Sequence, residues 1–169
     1  MVLSKGRNQN KEGSRTMINK ALFNEMVTFY NRRSFTHNYI IGISFQGNIY
    51  MVEITSDLLP YILKLDKASR GNGYSLRFKP NRAAKTLLMS KGATLLCSVE
   101  MFGELVNASK YNKGEIFEKL VTEFYGQEWE KDNVPFTDDG DLTVDGTAYQ
   151  IKFESASFIS EKQMMRMRG

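Results

Sequence analysis

The sequence predicts an α/β fold of the α+β kind, with a mixed central sheet flanked by helices. Three observations predict it. Two segments alternate apolar and polar residues around turn dipeptides, as antiparallel hairpins do. Stretches with apolar residues at three- and four-residue spacing lie between and before them, as amphipathic helices require. The chain is 41% hydrophobic over 169 residues, enough to build a core under those elements.

The elements follow in chain order. Residues 1–16 carry Lys5, Arg7, Lys11 and Arg15 among Gly, Ser, Asn and Gln, and read as a flexible basic arm. From Met17 to Tyr30, Leu22, Met26, Val27 and Tyr30 recur at helical spacing. Tyr39 to Ile54 reads as a hairpin turning at Gln46-Gly47-Asn48. Thr55, Ser56 and Asp57 can cap a helix from Leu58 to Leu65, with Pro60 in its first turn where a missing N–H costs little. Residues 68–73 are a loop by composition. Tyr74 to Lys79 alternates as a strand, and Asn81 to Ser90 is a short helix stopped by Gly92. Ala93 to Val99 is an apolar strand with Cys97 as a buried small hydrophobe, and Met101 to Val106 is a further helical turn. The linker from Asn107 to Asn112 divides a basic lobe, residues 17–106, from a second lobe, residues 111–169, the two packing as one compact unit. Ser160 to Arg168, with three methionines, reads as a helix that packs on the sheet or on a partner.

Composition narrows the function classes. A single cysteine excludes an internal disulfide and any cysteine-rich zinc site, and His37 is the one histidine. Any metal is therefore a hard cation on oxygen ligands, Mg²⁺ or Mn²⁺. The polar, basic start does not read as a secretory signal, and no apolar run approaches the roughly 18 residues of a bilayer span, so no membrane role is expected. The expected compartment is the reducing cytoplasm of a host cell.

The net charge of +4 conceals an asymmetry. Residues 1–100 hold 15 Lys/Arg against 6 Asp/Glu, whereas residues 101–169 hold 8 against 13. A basic half beside an acidic half suits a nucleic-acid protein whose binding surface and metal site are separate. Within the basic half, Arg77, Lys79, Arg82 and Lys85 are interleaved with Tyr74 and Phe78. That pattern offers phosphate contacts beside an aromatic platform, and equally describes a solvated face of a strand-helix unit.

The chemistry concentrates between Lys113 and Glu154. A helix opens at Gly114 and runs to Tyr125, with Phe117, Leu120, Val121 and Phe124 as its buried stripe. At about 100° per residue, Glu118 lies on the border of that stripe and Glu115 about 160° away, toward solvent. Asp145-Gly146 is a two-residue hairpin turn, so residues whose numbers sum to 291 face one another. Asp141 then opposes Gln150, and alternation puts Gln150, Lys152 and Glu154 on one face. A carboxylate, an amide oxygen and an ammonium converge, with Glu118 approaching from the preceding helix. Such a group can hold Mg²⁺ through oxygens and set Lys152 beside an attacking water.

The order helix-Glu, Asp, then an acidic position-x-Lys resembles the PD-(D/E)xK nuclease superfamily. The segment Lys113-Gly114 through Phe117-Glu118 resembles the first helix of archaeal Holliday-junction resolvases and of Mrr-like restriction endonucleases, and also small nuclease-like proteins of phages and conjugative elements. The resemblance covers about 40 residues and implies a restriction-endonuclease-like core in the C-terminal part. It implies Asp141 and Gln150 as metal ligands, Glu118 as the helix carboxylate serving metal and catalysis, and Lys152 as the catalytic lysine. Gln150 stands where the family carries Asp or Glu, which weakens the metal site.

Three functions follow as expectations. The first is a Mg²⁺-dependent nuclease hydrolysing DNA. The second is a catalytically inactive nuclease-like phage protein that inhibits a host defence complex, of the anti-CRISPR type, through a protein partner. The third is a DNA-binding accessory protein of a mobile element. Related nucleases work as dimers, so a homodimer is a further expectation.

Overall fold

The computed structural model describes residues 19–33, 36–67, 73–130 and 141–168. The basic arm and residues 68–72 of the expected loop lie outside them.

Residues 19–33 form helix α1. Strands β1 (Asn38–Phe45) and β2 (Asn48–Thr55) are an antiparallel hairpin with Phe45 opposite Asn48. Its turn is Gln46-Gly47, both at positive φ (47° and 81°), so Asn48 already belongs to β2. A 3₁₀ turn (Ser56–Leu58) leads into α2 (Leu59–Ile62), which is only one turn long, with Pro60 in its first turn. The helix expected to reach Leu65 ends there because Leu63–Lys67 is strand β3. In Leu-Lys-Leu-Asp-Lys the apolar residues alternate, and antiparallel pairing with β4 (Tyr74–Phe78) supplies the hydrogen bonds a longer helix would have made internally.

Helix α3 (Arg82–Ser90) is capped by Asn81, whose side chain accepts from Ala84 N–H at 2.8 Å. Strand β5 (Ala93–Ser98) pairs with β2 and is an edge, so it is less buried than its apolar composition predicts; Leu95 is 54% exposed and Cys97 is half-buried. Helix α4 (Val99–Asn107) follows, then α5 (Lys113–Phe124). A capping box starts α5: Asn112 accepts from Glu115 N–H at 2.8 Å while the Glu115 carboxylate reaches back to Asn112 N–H. Strands β6 (Leu142–Val144), β7 (Thr147–Phe153) and β8 (Ser157–Ser160) precede helix α6 (Glu161–Arg168).

The strands make two sheets. One has the order β5-β2-β1-β7-β6, mixed because β1 and β7 run parallel; the other is antiparallel, β3-β4-β8. The larger sheet takes strands from both halves of the sequence, and apolar layers cover both its faces. On one face Tyr39, Ile41 and Ile43 pack against Leu76, Phe78 and Phe158 of the smaller sheet and against Met26 of α1 and Met164 of α6. On the other, Ile40, Ile151 and Phe153 pack against Phe102 of α4 and Ile116, Phe117 and Val121 of α5. The α5 stripe is therefore rotated from the expected one. Ile116 joins it, and Phe124, in the last turn, is 54% exposed. Gly42 lies beneath Phe117 and Phe153, where a Cβ would stand 2.5 Å from Phe117 Cε1. Among the described residues no helix is long and apolar enough to cross a membrane.

Candidate functional site: an aspartate, glutamine and lysine row under a tyrosine

The β6–β7 hairpin has the register that the Asp145-Gly146 turn dictates. Leu142 faces Tyr149, Thr143 faces Ala148 and Val144 faces Thr147. Asp145 and Gly146 both have positive φ, 49° and 82°. Asp141, one residue before β6, is tied to the partner strand twice. Its N–H donates to Tyr149 O at 2.9 Å, and its Oδ2 accepts from Ile151 N–H at 2.9 Å. These two bonds bracket Gln150.

Strand alternation divides β7 cleanly. Ile151 and Phe153 face α5, so Gln150 and Lys152 face the opposite side, toward α1 and β8. There Tyr30 of α1 donates its hydroxyl to Gln150 Oε1 at 2.8 Å. Lys152 Nζ lies 5.2 Å from the centroid of the Phe158 ring, a cation–π contact. The same ring packs against Tyr30 (5.1 Å between centroids) and Tyr39 (6.0 Å). Phe158 is therefore the floor of the site, Tyr30 its lid, and Tyr39, fully buried beside Gln150 in the parallel register, its rear wall.

Burial sets the electrostatics. Desolvation pulls the Lys152 ammonium below its ordinary range, and the Asp141 carboxylate partly opposes that shift. Tyr30 is pushed far up, first by burial, then by Tyr39 and by the negative charge of Asp141.

The other residues singled out in the sequence lie elsewhere. Glu118 is on α5, whose packing surface meets Ile151 and Phe153, so the sheet stands between that surface and the Gln150–Lys152 row. Glu154 follows the last residue of β7 and leaves the row. Its Oε1 accepts from Ser44 N–H at 3.0 Å and from Ser44 Oγ at 2.5 Å, and its Oε2 pairs with Lys85 Nζ at 3.0 Å. Lys85 also donates to Ser44 O at 2.7 Å. Arg77 and Lys79 share Asp66 Oδ2, at 3.9 Å and 3.3 Å, and Arg77 donates to Ser155 O at 3.1 Å. Arg82 is exposed beside Lys85 in a groove with Ser44 and Pro80.

Among the described residues, no three His, Cys, Asp or Glu side chains gather as a metal-binding group. The oxygen donors in the row are one carboxylate and one amide. Each already accepts a hydrogen bond, Asp141 Oδ2 from Ile151 N–H and Gln150 Oε1 from the Tyr30 hydroxyl.

Sequence reasoning missed Tyr30, Tyr39 and Phe158. Tyr30 had a signal only as a core residue of an amphipathic helix. Strand β8, which delivers Phe158, is four residues long and carries no turn dipeptide. No protein-family model, curated protein or solved structure matches the chain.

Proposed function

We propose that this chain is a nuclease-like protein that engages DNA, with Asp141, Gln150 and Lys152 as a Mg²⁺-dependent phosphodiester-hydrolysing centre. The observation that carries this reading is the half-buried Lys152, its Nζ 5.2 Å from the Phe158 ring centroid, on the same face of β7 as Gln150, which the two Asp141 hydrogen bonds bracket. A lysine held beside a carboxylate and an amide in a desolvated setting marks a candidate functional site. Asp141, through its carboxylate, and Gln150, through Oε1, would hold the metal. When bound, Mg²⁺ would supply charge neutralisation at the scissile phosphate. Lys152 would orient an attacking water and stabilise charge on the scissile phosphate. Tyr30 would hold the Gln150 amide in one orientation, with Oε1 fixed by the hydroxyl.

The test is cleavage of labelled duplex DNA by the full chain with Mg²⁺. Cleavage that EDTA stops, and that Asp141→Asn and Lys152→Ala both abolish while their circular dichroism stays native, supports the reading. Intact DNA under saturating Mg²⁺ and Mn²⁺ overturns it.

A second reading has its own observation. The Tyr30 hydroxyl already occupies Gln150 Oε1, and Gln150 is neutral. A site of this kind suits a nuclease-like protein that binds without cutting, whether as an inhibitor of a host defence complex or as an accessory of a mobile element. DNA binding without cleavage in the same assay favours it.

A further inference from the structure

The C-terminal ends of α1 and α6 meet in a cluster of arginines that the site above does not use. Phe29 sits between two of them. The Arg33 and Arg168 guanidinium carbons each lie 5.6 Å from its ring centroid. Arg33 also donates to Met167 O at 3.3 Å, which fixes α1 to α6. Arg32 and Arg168 line a groove of about 260 Å³ with Asn24, Thr28 and Phe29. Arg32, Arg33 and Arg168 are all exposed, and among the described residues the one carboxylate lining the groove, Glu25, pairs with Arg168.

Three guanidiniums against one carboxylate is a local excess of positive charge. Cations at helix C-termini are favoured by the helix dipole, but that effect acts within the last turn and does not call for three arginines from two helices around one ring. Arg33 and Arg168 hold their guanidiniums over Phe29 with one N–H group of each engaged, by Met167 O and by Glu25, and their remaining N–H groups can take phosphate oxygens.

We infer that Arg32, Arg33 and Arg168 form a binding surface for the phosphodiester backbone of DNA, outside the Asp141–Gln150–Lys152 row. The inference rests on the nucleic-acid reading above. It does not depend on whether that row cuts.

Fluorescence anisotropy of a labelled DNA duplex, titrated with the full chain at several salt concentrations, tests it. The double variant Arg32→Gln, Arg33→Gln is compared with Lys113→Gln, Lys119→Gln, which removes the same charge from α5. The arginine variant is expected to bind roughly 10-fold more weakly at physiological salt, with a slope of log K against log salt shallower by about 2, since each phosphate contact contributes about 0.9. The lysine variant is expected to bind within about twofold of the parent, because charge away from the contact surface adds little at physiological ionic strength. Arg32→Gln alone, which removes no contact to Phe29, guards against a folding defect and is expected to lower the slope by about 1. Parent and arginine variants with the same affinity and slope overturn the inference and leave DNA binding standing. A parent chain that does not bind DNA at all overturns the nucleic-acid reading and the inference with it.

Discussion

Tyr30 and Gln150 stand 120 residues apart and meet across 2.8 Å, the tyrosine hydroxyl donating to the amide oxygen. This bond joins α1 to the strand that carries Lys152, so the lid of the candidate site is part of the packed core.

Removing that hydroxyl should be felt as a lost buried hydrogen bond. Tyr30→Phe keeps the ring against Phe158 and leaves Gln150 Oε1 without its donor. A loss of about 1 kcal/mol is expected, or about 2–4 °C in Tm for a chain of this size. Differential scanning calorimetry reads it. An unchanged Tm would mean that water replaces the hydroxyl.

Alkaline pH should act on Lys152 and Tyr30 in opposite directions. Lys152 has a lowered pKa in the fold, so the unfolded chain binds more protons in the window just below 10.5, and stability rises with pH there. Tyr30 has a raised pKa, so above 10.0 the unfolded chain loses a proton that the fold keeps, and stability falls. Tyr125, half-buried and pushed to about 12 by burial and Glu53, adds to that fall, weakened by solvent screening. Lys152→Met should remove the rising limb and leave the falling one. Urea denaturation from pH 8 to 11 checks this, and a rising limb of equal slope in the variant would contradict it.

Gly42 has no room for a methyl group. A Cβ would lie 2.5 Å from Phe117 Cε1 and 2.6 Å from Phe153 Cδ1, both on buried side chains. Gly42→Ala should cost about 1–3 kcal/mol through forced repacking of α5 on the sheet. A shift of the urea midpoint at constant m-value is the expected signature.

The Lys85–Glu154 pair closes the end of β7. Both side chains are about four-fifths buried, and Ser44 completes the group. Glu154→Ala leaves the Lys85 ammonium without its carboxylate and should cost about 2 kcal/mol or more. Glu154→Gln keeps an acceptor for Ser44 and should cost less. Equal losses for the two variants would show that charge plays no part.

The local parts of this fold were readable. Asp145-Gly146 sets the register of β6 on β7, so the pairing of Asp141 with Gln150 followed by arithmetic, and alternation put Lys152 beside them. Asn112 and Glu115 formed a readable capping signal that went unused. The non-local parts were not readable. Nothing in Asn38–Phe45 or Thr147–Phe153 announces that these strands run side by side in parallel, and that pairing brings Tyr39 against Gln150. The position of Glu118 was missed for a related reason. Helix phase shows that it borders the stripe, but only the packing of Phe117 and Val121 shows which face of the sheet α5 covers. Leu58–Leu65 reads as one helix because a short apolar run fits either period, and pairing with β4 makes its second half a strand.

The most direct test of the metal-dependent reading is a crystal of the full chain soaked in Mn²⁺ and measured at the manganese edge. An anomalous peak beside the Asp141 carboxylate and Gln150 Oε1, lost in Asp141→Asn, is the predicted result. A saturating soak that leaves no peak beside Asp141 would contradict it, and with it the role assigned to Lys152.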